Sequence, residues 1–317
     1  MTEATIGSWA PKDYFCMRTL RTIAAATATA VLALGGGLLA VPAAQAATAS
    51  PATLVHDDGE LWYKAAPGQD NRLTISATVE ERSEYELYHV LTFDDRVEMA
   101  IDAQAAEWDE CVYPSPKDRT VVQCKVEVVL GSDDSPIYNV TVRDGADTVT
   151  IPADSKSAEA TIYGGPGKDV LTDNGHSAVL YGEDGNDRLH GGGGMWGMGP
   201  FGGRGDDTIS GCAQDCAGGA GNDSLTGDGE SNNLFGDSGN DVILGKQGRD
   251  NLHGGTGNDT LRGGRGADKL YGEQGNDTLW GDQDNDELWG NSGNDVLYGG
   301  AGADKLSGGP GRNKVRQ

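Results

Sequence analysis

One aliphatic side chain recurs every nine residues through the second half of the chain. From Gly218 the sequence reads as eleven nine-residue units in strict register, beginning GGAGNDSLT and ending GGPGRNKVR. Four further units begin at Gly164, Asp173, Gly182 and Gly202, with irregular inserts at 191–201 and 211–217. The eighth position of every unit is aliphatic: Leu171, Leu180, Leu189, Ile209, Leu225, Leu234, Ile243, Leu252, Leu261, Leu270, Leu279, Leu288, Leu297, Leu306 and Val315.

This spacing predicts short strands in stacked coils. Positions 7 to 9 form a three-residue strand whose middle side chain points inward and whose neighbours point outward. One inward side chain in nine cannot support an ordinary core, but it supports a ladder when successive coils stack. Positions 1, 2 and 4 are mostly glycine, which adopts positive φ at little cost and allows close approach of turn backbones.

Residues 47–163 have a different pattern, in which apolar and polar residues alternate over short runs. Examples are 72–79 (RLTISATV) and 120–130, and turn signals such as Asp58-Gly59 and Asp144-Gly145 separate the runs. Such alternation is typical of half-buried strands joined by tight turns. The pattern predicts a small antiparallel β domain.

The N-terminus has the features of an export signal. Arg18 and Arg21 precede an apolar run at 23–40, and Ala44-Gln45-Ala46 forms a small-x-small cleavage site. An uncleaved membrane anchor is the alternative, because the run approaches the ~17–25 residues that span a bilayer. Whether translation starts at Met1 or Met17 stays open. We predict a leader at 1–46, a β domain at 47–150 and a repeat region at 151–317, with a secreted mature chain that has no membrane span.

The acidic charge of the chain must be neutralised if the chain is to fold. The formal net charge is −25, and 49 acidic residues oppose 24 basic ones. Such a field repels nucleic acid, so we expect no nucleic-acid partner. Low hydrophobicity with high charge is also typical of disordered chains. A disordered linker, however, needs no aliphatic residues at one fixed phase, so we predict that the chain folds and that something neutralises its carboxylates.

The cysteines agree with export. After the leader, four remain in two close pairs, Cys111 with Cys124 and Cys212 with Cys216. An even number in an exported chain suggests disulfides. Whether Cys212 and Cys216 are bonded stays open, and zinc binding is the alternative for these cysteines.

The repeats resemble the RTX, or hemolysin-type, calcium-binding nonapeptide family. The resemblance covers 164–316 and implies a right-handed parallel β-roll with 18 residues per coil. It implies several Ca²⁺ ions in the turns, bound by position-6 carboxylates and by glycine carbonyls. The overall prediction is an all-β chain, a small antiparallel β domain followed by this roll. Residues 47–163 resemble the N-terminal part of short secreted actinobacterial proteins of this type, through Cys111, Cys124 and residues 144–149.

Carried onto this sequence, the resemblance implies two sets of metal ligands. The carboxylates are Asp169, Asp187, Asp207, Asp223, Asp241, Asp250, Asp259, Asp268, Asp277, Asp286, Asp295 and Asp304. The backbone carbonyls are those of Gly221, Gly239, Gly248, Gly255, Gly257, Gly264, Gly266, Gly275 and Gly293. Position 6 is instead Ala178, Asn232 or Asn313 in three units, which we expect to weaken a site for a hard cation.

No catalytic motif accompanies the repeats. The sequence has no HExxH zinc motif and no GxSxG nucleophile motif, so we do not expect an enzyme. A calcium-binding module for surface attachment or partner binding is the leading hypothesis, with extracellular or cell-wall polysaccharide, or a protein, as partner. The alternative is a small secreted hydrolase or carbohydrate-binding protein with the roll as a folding appendage. Aromatic residues at position 9 predict either a binding strip or rings that stack between coils.

Overall fold

The computed structural model describes residues 50–317 except 84–85, 129–136, 156–158, 176 and 195–197. The predicted leader at 1–46 lies outside the described residues and stays a prediction. The single helix of the described chain is α1 (Ala103–Trp108), which begins after Asp102, whose carboxylate accepts the Ala105 N–H. The strands are β1 (Ala52–Asp57), β2 (Glu60–Lys64), β3 (Arg72–Ser83), β4 (Glu86–Asp94), β5 (Met99–Ile101), β6 (Val121–Val128), β7 (Tyr138–Thr141), β8 (Thr148–Ile151), β9 (Ala160–Tyr163), β10 (Val170–Asp173), β11 (Ala178–Asp184), β12 (Arg188–Gly191), β13 (Met198–Arg204), β14 (Thr208–Cys212), β15 (Asp215–Ala220), β16 (Ser224–Gly227), β17 (Asn233–Ser238), β18 (Val242–Gln247), β19 (Asn251–Thr256), β20 (Thr260–Arg265), β21 (Lys269–Gln274), β22 (Thr278–Gln283), β23 (Glu287–Trp289), β24 (Val296–Ala301), β25 (Lys305–Ser307) and β26 (Lys314–Arg316).

The strands form two sheets of 13 strands each. From β7 onward, consecutive strands alternate between the sheets, and each pairs in parallel with the strand two further along the chain. One coil of this parallel β-roll therefore contains one strand of each sheet. In the regular region Leu261 pairs with Ile243 on one side and with Leu279 on the other, a spacing of 18 residues. The predicted all-β architecture with a parallel roll is confirmed.

The position-8 side chains fill the space between the sheets. From Leu171 to Leu297 each is at most 1% exposed. At the C-terminal end of the roll no further coil covers the last residue, and Val315 is 47% exposed. Burial of each leucine removes apolar area worth roughly 1.5–3 kcal/mol from water. The predicted inward ladder is confirmed.

The N-terminal region combines antiparallel and parallel pairing. Strands β1 and β2 form one antiparallel pair, while β3, β4 and β6 form an antiparallel set of three. However, β2 pairs in parallel with β7, and the start of β3 pairs in parallel with β8. Both sheets therefore continue across residue 150, which lies within β8, and the division at 150 stays a prediction about organisation. Tyr63, Phe93 and Tyr138 form an aromatic centre of the core here.

The structure brings both cysteine pairs together. Cys111 lies at disulfide distance from Cys124, and Cys212 lies at disulfide distance from Cys216. The first pair is almost completely buried beside β6, and the second closes the insert at 211–217. Both pairs are therefore disulfides in this structure, including the one that the sequence left open.

The position-9 aromatic rings stack on one another along the roll. The centroids of Phe235 and His253 are 5.0 Å apart, and those of His253, Tyr271 and Trp289 follow at 4.6 Å with interplanar angles of 14° or less. On the other sheet, the rings of Trp280 and Tyr298 stack at 5.7 Å. Because the ring faces are turned towards one another, the stacking interpretation is confirmed for these residues.

Candidate metal-binding ladders

Two columns of aspartates run along the two edges of the roll. We call the first the first-edge ladder; it lies in turns that lead into the sheet of β8. Its members are Asp147, Asp169, Asp187, Asp207, Asp223, Asp241, Asp259, Asp277 and Asp295. The second-edge ladder lies in the opposite turns and consists of Asp250, Asp268, Asp286 and Asp304.

The structure brings together all twelve predicted aspartates and adds one. Asp169, Asp187 and Asp207 come from units interrupted by inserts, yet they stand in one ladder with Asp223. Steps of 18, 20 and 16 residues separate these four positions. Because the inserts bulge elsewhere in the coil, the turns keep their register. Asp147 belongs to the same ladder and was missed, because its unit lacks glycine at positions 1 and 2.

One hydrogen bond repeats at every step of both ladders. The backbone N–H of each aspartate donates to Oδ1 of the aspartate one coil further on, at 2.7–3.0 Å. Each carboxylate is therefore held with one oxygen along the roll. This arrangement fixes the direction of the second oxygen, Oδ2.

Every Oδ2 atom in the two ladders is buried and has no hydrogen-bond partner. Apart from Asp304, the aspartates themselves are at most 2% exposed. A buried carboxylate oxygen without a partner is costly, at least about 1–3 kcal/mol for the lost hydrogen bond alone. Thirteen such atoms in two columns therefore require protonation or bound cations.

Backbone carbonyl oxygens lie close to the Oδ2 atoms of the ladder aspartates. A β-carbon added to Gly164, at position 1, would lie 2.6 Å from Asp169 Oδ2 and 2.8 Å from the Gly182 carbonyl oxygen. The same relation holds along the roll, as for Gly254 with Asp259 and the Gly272 carbonyl. Glycine at position 1 thus leaves room in which a carboxylate and a carbonyl from successive coils approach each other.

The predicted carbonyl set is only part of this arrangement. The position-4 carbonyls of Gly221, Gly239, Gly248, Gly257, Gly275 and Gly293 each point at the position-4 glycine of the next coil. Gly266 is also at position 4, and Gly255 and Gly264 are at position 2, with φ of +103° and +114°. Sequence reasoning missed the position-1 carbonyls, for which the constancy of glycine at that position is the signal.

Burial raises the pKa of the carboxyls of the first-edge ladder and of Asp250, Asp268 and Asp286. The pKa of Asp169, Asp207, Asp241, Asp268 and Asp277 is raised to about 7, first by burial and then by the neighbouring aspartates. The hydrogen bond from the preceding backbone N–H opposes this shift but does not cancel it. Without a cation, the ladders therefore hold ionised carboxylates poorly at neutral pH.

The donor set suits a hard divalent cation. All the candidate ligands are carboxylate and carbonyl oxygens, which are the ligands that Ca²⁺ binds, six to eight at a time. Among the described residues, no group of three or more His, Cys, Asp or Glu side chains converges as a metal cluster. At each step the carboxylates and the turn carbonyls would hold the ion together, and the unpartnered Oδ2 atoms fit that role.

Asparagine replaces aspartate at one end of each ladder, Asn313 after Asp295 and Asn232 before Asp250. The Nδ2 atom of Asn232 donates to the carbonyls of Cys212 and Ala213, at 3.0 and 3.2 Å. The Nδ2 atom of Asn313 donates to the Gly309 carbonyl at 2.9 Å. An amide therefore satisfies its second atom with carbonyls of the turn, where a carboxylate leaves Oδ2 unpaired.

Comparison with known protein families agrees with this geometry. The description that matches is RTX calcium-binding nonapeptide repeat, over residues 163–194, 201–213, 217–252, 244–279 and 280–315. No match to a curated protein was found. No helix in the described part of the chain is long and apolar enough to cross a membrane. The chain therefore carries RTX calcium-binding nonapeptide repeats over these residues.

Proposed function

We propose that this chain is a secreted, non-catalytic protein whose roll folds when calcium binds to both ladders. The observation that carries the proposal is the set of thirteen buried Oδ2 atoms without hydrogen-bond partners. The proposed ligands are the aspartates of the two ladders, including the twelve expected from the sequence, and turn carbonyls between successive coils. Each ion links two coils, so binding at one step orders the next.

Calcium does in this roll what a large apolar core does elsewhere. One buried aliphatic residue per nine offsets little of the ~1–2 kcal/mol per residue that ordering a backbone costs. Ionised ladder carboxylates oppose folding further, because they stand one coil apart and have lost their water. A cation reverses the sign of that contribution, so binding free energy becomes folding free energy.

Secretion is part of the proposal because the roll requires calcium to fold. Calcium is scarce in the cytosol and abundant outside cells, so the roll would stay unfolded during export and fold afterwards. The predicted leader at 1–46 and the two disulfides support an oxidising destination. A non-catalytic role is supported by the lack of HExxH and GxSxG motifs in the sequence.

The most direct test is circular dichroism of the mature chain in EDTA and then in millimolar calcium. We expect a disordered roll in EDTA and a β spectrum in calcium, with a steep, cooperative titration. Magnesium at the same concentration is the control, since it demands a smaller octahedral site and should not restore the spectrum. A β spectrum that is identical in EDTA and in calcium would refute the proposal.

A partner surface is the second element of the proposal. Trp108 is 68% exposed and stacks on His56 at 5.7 Å, while Val112 nearby is 55% exposed. Because contiguous exposed apolar surface marks interaction sites, we take Trp108 and Val112 as the candidate surface for a sugar or protein partner. Pulldown on cell-wall material and polysaccharides, with Trp108→Ala as the variant and Trp280→Ala as the control, tests this. Saturable binding without turnover supports the non-catalytic module, whereas hydrolysis of a substrate would favour the alternative of a small hydrolase.

A further inference from the structure

We propose that the cation ladder extends one coil beyond the matched repeats, to a calcium site between Asp147 and Asp169. This proposal rests on the proposed function, because the site would take the same ion. The family match begins at residue 163, so Asp147 lies outside it. The site would join the disulfide-bonded N-terminal region to the roll through a metal ion.

Residues 142–150 (VRDGADTVT) form a repeat unit in their backbone, although only part of the sequence signature remains. The Val142 N–H donates to the Tyr163 carbonyl at 3.1 Å, as the Gly164 N–H donates to the Tyr181 carbonyl at 2.9 Å. The Asp147 carbonyl accepts from the Val170 N–H at 2.8 Å, and the carbonyls of Asp169 and Asp187 accept in the same way from the N–H groups of Arg188 and Thr208 one coil further on. Residues 142–150 therefore form a nine-residue unit in register with the repeats.

The carboxylate of Asp147 has an unpartnered buried oxygen, as the carboxylates of the repeats do. Its backbone N–H donates to Asp169 Oδ1 at 2.8 Å, and its own Oδ1 accepts from the backbone N–H and from Nδ2 of Asn71. Its Oδ2 is buried without a partner, and the residue is 1% exposed. No hydrogen bond or ion pair of the described residues neutralises this oxygen.

Turn carbonyls continue into this coil as well. The Gly145 carbonyl points at Gly167, and the Gln69 carbonyl points at Gly145, as position-4 carbonyls do along the roll. The column of carbonyl oxygens and the column of carboxylates thus both extend past the first matched repeat. Two independent features, an unpartnered buried oxygen and a carbonyl column, point to an oxygen-binding cation here.

The site differs from the interior sites at position 1 of its unit. Position 1 is Val142, whose side chain is buried, so the opening that glycine leaves elsewhere is filled. The Oδ2 atom of Asp147 is turned instead towards position 4, 3.0 Å from where a β-carbon on Gly145 would lie. The site is therefore framed by the two carboxylates and the position-4 carbonyls, and we expect it to bind calcium more weakly than interior steps.

A cation at this position would couple two parts of the chain. The Tyr63 hydroxyl donates its hydrogen to Asp95 at 2.5 Å, and the same hydroxyl oxygen lies 3.3 Å from Oδ1 of Asn71, which binds Asp147. Asp95 in turn accepts the Arg72 N–H at the start of β3. Ordering of Asp147 by calcium would thus extend through a buried polar network into the N-terminal region.

Native mass spectrometry of the mature full chain in calcium tests the site directly. Asp147→Asn keeps the Oδ1 acceptor but removes the charge, and we expect it to bind one ion fewer than the unchanged chain. Asp144→Asn is the matched control, because Asp144 is exposed three residues away and the charge change is the same. An unchanged ion count in Asp147→Asn would overturn the proposal while leaving the proposed function intact. A chain that binds no calcium at all would instead refute the proposed function.

Crystals of the unchanged chain grown in terbium provide a measurement that does not depend on a variant folding. Anomalous density between Asp147 and Asp169, beside that at the interior steps, is the expected result. Density at interior steps with none at this position would contradict the inference.

Discussion

Asp277→Asn should change stability in opposite directions with and without calcium. Asp277 stands in the middle of the first-edge ladder, between Asp259 and Asp295. The variant keeps Oδ1, which accepts the Asp259 N–H at 2.9 Å, and replaces the unpartnered Oδ2 with an amide donor. Asn232 shows what such an amide does, because its Nδ2 binds turn carbonyls.

The magnitude follows from the pKa of Asp277. Burial, and then the charges of Asp259 and Asp295, raise this pKa from 3.8 to about 7. Each pKa unit corresponds to ~1.4 kcal/mol, so an ionised Asp277 costs the metal-free roll at most about 4 kcal/mol above neutral pH. Because the turn relaxes and admits water, we expect Asp277→Asn to stabilise the metal-free roll by roughly 2–4 kcal/mol.

In calcium the same variant loses more than it gains. Asp277 borders one proposed calcium site on each side. At a free calcium concentration of 100 times the Kd, each site stabilises the fold by ~2.7 kcal/mol through linkage. Losing the sites on both sides removes ~5 kcal/mol of linkage, and subtracting the 2–4 kcal/mol by which the variant stabilises the metal-free roll leaves a net destabilisation of roughly 1–3 kcal/mol. The charge that opposes folding in EDTA is the charge that binds the ion.

The assay needs one experiment in each condition at about pH 8. In EDTA, folding is induced with an osmolyte and followed by circular dichroism, and we expect the variant to need less osmolyte. In millimolar calcium, urea unfolding should show a lower midpoint for the variant. Asp154→Asn, at an exposed carboxylate in the loop after β8 that belongs to neither ladder, is the control for net charge and should move neither midpoint appreciably. The reasoning fails if Asp277→Asn shifts both midpoints in the same direction.

Three further predictions concern the core, pH and the disulfide. Leu261→Ala should cost about 2–5 kcal/mol in calcium-bound urea unfolding, because the coils above and below prevent collapse of the cavity, whereas the half-exposed Val315→Ala should cost under ~1 kcal/mol. In EDTA, acidification from pH 8 to about pH 5 should increase the β signal in circular dichroism. The pKa of Asp241 is raised to about 7, so this group favours the metal-free fold at low pH, and the contribution is lost as pH rises through 7. Replacing Cys111 and Cys124 with alanine opens a loop of 13 residues in sequence separation and leaves Cys212–Cys216 bonded, so it should lower stability by ~3 kcal/mol on the chain-entropy view, measured as a lower melting temperature.

The regular part of the fold could be predicted because its contacts repeat at a fixed spacing. Once position 8 is recognised as inward, the partner of Leu261 must lie 18 residues away, and the structure pairs it with Leu279. The partners of Asp259 follow in the same way. Local sequence is sufficient here because each coil contacts only its neighbours.

The N-terminal region could not be predicted in this way. The parallel pairing of Leu73 with Val149 joins residues 76 positions apart, with a helix and several antiparallel strands between them. No period in the sequence indicates that register. Asp147 was missed for a related reason, because its unit retains Gly145 and the buried Val149 but not the other glycines. Only the continuing sheets reveal that it is a repeat.

The asparagines illustrate a limit of reasoning from ligand strength alone. At position 6, Asn232 and Asn313 suggest weakened calcium sites, but the geometry indicates that they end the ladders. At the start, Asn71 supplies N–H donors to Asp147, and at the end Asn313 Oδ1 accepts the Asp295 N–H at 2.7 Å without adding a buried charge. The amides of Asn71 and Asn313 thus continue the hydrogen-bond column of the first-edge ladder at both ends without adding a buried charge, so neither end residue requires a cation of its own.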